Sequence, residues 1–79
     1  MDLYAWIGED ELGSGEVGLK QGRVPAGLIP LVSIHQHKLV PAYLLAQLQA
    51  QVDQHRKPMR LVRFTLVEEL VTLQPSPVN

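Results

Sequence analysis

VPAYLLAQLQAQVDQH (residues 40–55) and RLVRFTLV (residues 60–67) stand almost side by side and carry two different apolar periods. In the first, Leu44, Leu45, Leu48 and Val52 recur at spacings of three and four, the pattern of one helix face. Pro41 suits a first helical turn, Arg56 and Lys57 complement the negative helix end, and Pro58 stops it. In the second, Val62, Phe64 and Leu66 alternate with Leu61, Arg63, Thr65 and Val67, the period of a strand with apolar side chains on both faces.

Three more strands are expected upstream. Residues 29–35 are β-branched and apolar, with Pro30 tolerated only near a strand start or on an edge. Residues 22–27, holding Pro25 and two glycines, read as irregular. In residues 16–21, Val17 and Leu19 alternate with Glu16 and Lys20, which predicts a short strand. LYAWI at residues 3–7 reads as a largely buried strand ending at Gly8. Downstream, residues 68–73 are expected to be extended, the alternative being a helical turn capped by Thr65 and Glu68. Residues 74–79, with Pro75 and Pro77, read as a frayed tail.

The order is β-β-β-α-β. It predicts an α+β fold, a small mixed four-stranded sheet with one helix packed on one face, in a single domain over residues 1–73. The link from the third strand through the helix to the fourth has the length of a crossover between parallel strands. One helix cannot cover both faces of such a sheet, so the other face is expected to serve association.

Composition narrows the function classes. A domain of 79 residues buries only about 60% of the surface its unfolded chain exposes, and without cysteine it has no disulfide or thiolate metal site to staple it. Self-association is the expected remedy, so the chain reads as a homo-oligomer. The charged fraction of 19% is below the roughly 25% of soluble domains, as expected where a partner covers part of the surface. A net charge of −1 gives no field to attract nucleic acid. No basic region precedes an apolar core at Met1-Asp2-Leu3, and apolar runs fall far short of the ~20 residues that span a bilayer. A cytoplasmic protein without membrane or nucleic-acid partners is the expectation.

All 6 glycines, and four of the 8 acids (Glu9, Asp10, Glu11 and Glu16), lie within residues 8–27. There, Gly13-Ser14-Gly15-Glu16-Val17-Gly18 matches G-x-G-x-x-G, whose glycines let backbone amides approach a phosphate. A dinucleotide fingerprint must open a helix, and Gly18, Gly22 and Pro25 forbid one of useful length. The spacing also resembles the glycine-rich hairpin of protein kinases. That resemblance covers only residues 13–19, has Leu19 where the family has valine, and is followed by no catalytic-loop or metal-binding motif. What remains is a glycine-rich turn that presents amides to a nucleotide or phosphorylated metabolite, through Gly13, Ser14, Gly15, Gly18, Lys20, Gln21 and Arg23. Glu9, Asp10 and Glu11 would repel that anion, and a surface loop whose glycines serve turns is the plainer reading.

Other chemistry is thin. Glu9 to Glu16 do not meet the calcium-loop pattern. His35 and His37 can share a strand face, but a metal would need further ligands from His55 or a carboxylate, and no metal or other cofactor is expected. Ser14, Ser33 and Ser76 lack a nucleophile context. The helix carries Gln47, Gln49, Gln51 and Gln54 where exposed helices usually show charged pairs. Gln47, Gln51 and Gln54, together with Trp6, are therefore the candidate partner-binding residues. The sequence favours a non-enzymatic binding protein acting as a homo-oligomer, with capture of a phosphorylated small molecule as the alternative. A minimal enzyme would need turnover dependent on His35, His37 or the clustered acids.

Overall fold

A computed structural model describes residues 1–10, 14–65 and 67–77. The elements are β1 (Asp2–Glu9), β2 (Val17–Leu19), β3 (Gln21–Val24), β4 (Gly27–Pro30), β5 (Val32–Ser33), a 3₁₀ turn (Gln36–Leu39), α1 (Ala42–His55) and β6 (Met59–Thr65). The fold is α+β, with one helix, as its two apolar periods imply.

β1 is the centre of the main sheet. β6 runs antiparallel along one side of it, from Asp2 opposite Thr65 to Gly8 opposite Met59. The other side of β1 is shared: β2 pairs with its end (Ile7 opposite Leu19) and β5 with its beginning (Ala5 opposite Val32). β2 and β5 are the splayed legs of one long hairpin, whose closed end is β3 paired with β4 around Pro25 and Ala26. At the fork the Trp6 amide donates to the Leu31 carbonyl (3.0 Å), the Lys20 amide to the Trp6 carbonyl (2.9 Å), and the Leu31 amide to the Lys20 carbonyl (3.0 Å). The hairpin therefore forks along one edge of β1, with the backbone N–H and C=O of Trp6, Lys20 and Leu31 all paired at the fork.

Several sequence expectations are corrected here. The described ladders are all antiparallel, so the sheet is not mixed. β5 and β6 do run the same way, but β1 lies between them and the helix crosses over it, a split β-α-β arrangement. The strand expected over residues 16–21 breaks at Lys20 into β2 and β3, and the one over residues 29–35 breaks at Leu31 into β4 and β5. Most of the supposedly irregular residues 22–27 belong to β3 and its turn, closed by Gly27 at a φ of 126°. Residues 67–77 belong to no helix or strand, so neither the extended ladder nor the capped turn expected of residues 68–73 is formed.

α1 begins one residue after Pro41 and ends at Arg56, whose φ of 57° puts a side chain in the left-handed region where glycine is usual. Its Leu44 and Leu48 join Leu31 and Leu39 as the buried cluster, against which Tyr4, Trp6, Met59 and Leu61 pack from β1 and β6. Trp6 anchors the seam by donating its indole N–H to the Leu39 carbonyl at 2.8 Å. Gly22 lets helix and hairpin meet: a Cβ there would lie 2.8 Å from Leu31 Cδ2 and 3.3 Å from Leu44 Cδ1.

Candidate functional site

Paired residues of an antiparallel ladder share a face, so the register sorts the sheet into two sides. Tyr4, Trp6, Met59 and Leu61 face the helix. The opposite side carries Leu3, Ala5 and Ile7 from β1 and Arg60, Val62 and Phe64 from β6, with Val17, Leu19 and Val32 from the hairpin legs. No element of the described chain covers it. Ala5 at its centre is buried beneath larger neighbours, while Leu19 and Phe64 remain 54% and 46% exposed.

The amount of bare surface is large for the mass. The chain exposes 6487 Å², roughly 1,700 Å² above the value of about 4,800 Å² that the area–mass scaling gives a folded monomer of 8.8 kDa. Its radius of gyration, 15.6 Å, likewise exceeds the roughly 12 Å of a compact domain of this length. Among the described residues the buried apolar set is Ala5, Leu31, Leu39, Leu44 and Leu48. A core of that size leaves little to offset chain entropy.

The glycine-rich segment is organised differently from a phosphate cradle. Gly13 lies outside the described residues. The Ser14 amide donates to Asp10 Oδ1 at 3.2 Å, its hydroxyl donates to Asp10 Oδ2, and the Glu16 amide donates to Ser14 Oγ at 3.1 Å. The anion held by this loop is the chain's own Asp10 carboxylate. Gly15, at a φ of 79°, supplies the turn that makes this possible. Nearby, Lys20 is buried with its ammonium on the Glu9 carbonyl (2.9 Å), and Lys57 places its own on the Asp10 carbonyl (2.9 Å). The two lysines tie the end of β1 to the hairpin and to the end of the helix.

Gly18, Lys20 and Gln21 do come together, lining an open cleft of about 310 Å³ with Gly8, Asp10 and Gln51. Arg23 is elsewhere: its amide donates to Gln47 Oε1 at 2.9 Å and its carbonyl accepts from Gln47 Nε2 at 3.3 Å. Gln47 thus acts as a substitute ladder partner for β3. Of the four glutamines, Gln51 faces the cleft, Gln49 donates to Asp53, and Gln54 is exposed. They do not form one surface, and Trp6 is an internal anchor.

The His35 and His37 rings lie 5.5 Å apart. Among the described residues no three His, Asp or Glu side chains gather as a metal site. Ser33 Oγ accepts from the His35 amide, and Ser76 is exposed in the last segment. No described helix is long and apolar enough to cross a membrane. No family model, curated protein or solved structure matches the chain.

Proposed function

We propose that this chain is a non-enzymatic binding protein that works as a homo-oligomer and closes its bare sheet face against another protein surface. The observation that carries this reading is the apolar side of the sheet, from Leu19 and Ile7 through Val62 to Phe64 and Leu3, which no element among the described residues covers. Apolar area left in water contributes nothing to folding, whereas burying it against a partner gains about 25 cal/mol per Å². The excess exposure of roughly 1,700 Å² per chain includes this face together with the almost wholly exposed Val67, Leu70, Val71 and Leu73.

Light scattering on the purified chain tests the proposal. The expected result is a mass that is a multiple of 8.8 kDa, falling to the single-chain value on Phe64→Glu. A monomer at all concentrations that also retains no protein from a lysate overturns it.

A second reading, capture of a phosphorylated small molecule, draws support from the cleft where Gly18, Lys20, Gln21 and Gln51 meet. It is opposed by Asp10, whose carboxylate takes up the Ser14 amide and hydroxyl and adds negative charge. Native mass spectrometry of gently purified protein separates the two: a retained phosphorylated mass supports capture, and bare protein indifferent to a nucleotide panel counts against it.

A further inference from the structure

Among the described residues β6 has one ladder partner, β1, and no strand pairs with its outer edge. An open edge is a template for another strand. Immediately after β6 the chain runs on through VEELVTL, residues 67–73, whose apolar members are almost wholly exposed: Val67 91%, Leu70 85%, Val71 78% and Leu73 90%. The segment has strand-forming residues, an acidic charge from Glu68 and Glu69, and no basic residue. β6 has the opposite character, with Arg60 and Arg63 and no acid. Neither guanidinium has a partner among the described residues.

These facts fit one pairing. If residues 67–72 lie antiparallel to a β6 edge with Glu68 opposite Arg63, then Val67 falls opposite Phe64, Leu70 opposite Leu61, and Val71 opposite Arg60. Glu69 falls opposite Val62 and diagonal to Arg60, within reach of its long side chain. Glu68 thus meets Arg63 directly and Glu69 meets Arg60 diagonally, while Val67–Phe64 and Leu70–Leu61 set one apolar pair on each face. Within a single chain this pairing would be a hairpin whose two turn residues are Thr65 and Leu66. Two-residue hairpin turns need positive φ, which Gly, Asn and Asp supply and a β-branched Thr resists. Thr65 is instead held in β6, opposite Asp2. Between two chains no turn is needed. The pairing is also its own mirror: β6 and residues 67–72 of one copy match residues 67–72 and β6 of the other about a two-fold axis, as an isologous dimer requires.

We infer that residues 67–72 exchange between two copies of this chain, each adding an antiparallel strand to the open β6 edge of the other. The inference rests on the homo-oligomer reading and names its partner as a second copy, its chemistry as arginine edge against acidic arm.

Charge reversal tests it. Glu68→Arg with Glu69→Arg, and separately Arg60→Glu with Arg63→Glu, each set like charges together and are expected to weaken association by about tenfold to a hundredfold in sedimentation equilibrium. Mixed one to one, the two variants become complementary at both crossings, and native mass spectrometry is expected to find the heterodimer in preference to either homodimer. A second measurement does not depend on those edge substitutions folding: the cysteine-free chain with Arg63→Cys and Glu68→Cys is expected to oxidise to a covalent dimer. An intrachain disulfide overturns exchange in favour of a hairpin. A dimeric wild type whose charge variants associate unchanged overturns the arm while leaving the oligomer standing; a monomeric wild type defeats both.

Discussion

The two faces of one sheet make the instructive contrast. On one, Tyr4, Trp6, Met59 and Leu61 meet Leu44 and Leu48 of the helix, and the contact is sealed by directed bonds: the Trp6 indole to Leu39 and the Gln47 amide to both backbone groups of Arg23. On the other, side chains of the same kind face outward, and no described helix or strand lies above them. The difference does not lie in residue type, since leucine, valine and aromatics occur on both. It lies in what covers each face: among the described residues the one α-helix lies on the first, and no element lies on the second. An antiparallel sheet can leave one face in water, but such a face is ordinarily polar, whereas Leu19, Val32 and Phe64 are exposed on this one.

Paired substitutions break the contrast most directly. Leu48→Ala, in the buried cluster, is expected to cost about 2–4 kcal/mol, enough to unfold much of so small a domain, as urea titration will read. Gly22→Ala forces Leu31 and Leu44 apart and is expected to cost about 1–3 kcal/mol in the same titration, with loss of helix–hairpin protection in hydrogen exchange. Gln47→Ala leaves the Arg23 backbone groups to water and should lower stability by about 1 kcal/mol. Leu19→Ala, the same truncation as Leu48→Ala but on the bare face, should change the unfolding of dilute protein by less than about 0.5 kcal/mol, while reducing association at high concentration. Equal costs for the two leucine truncations in dilute solution would remove the contrast.

Much of this is legible in the residues. The three- and four-residue spacing of Leu44, Leu45, Leu48 and Val52 places the helix, and the alternation from Leu61 to Phe64 places β6, because each pattern is local. The uncovered face follows from counting layers. The breaks at Lys20 and Leu31 are not legible, because they are made by hydrogen bonds to Trp6, far away in sequence. Side-chain amides and indoles are equally silent: composition shows that Gln47 and Trp6 have donors, and only the fold shows that Arg23 and Leu39 use them. In the glycine-rich loop, the acids that seemed to repel an external anion prove to include the anion the loop binds, Asp10.

The central claim, that the sheet is finished by a second protein surface, is tested most directly by thermal unfolding of the full chain across a wide range of its own concentration. Folding coupled to association makes the midpoint rise with concentration. The account predicts that rise, and its loss in Phe64→Glu. A midpoint independent of concentration, from a species sedimenting at 8.8 kDa throughout, would contradict it.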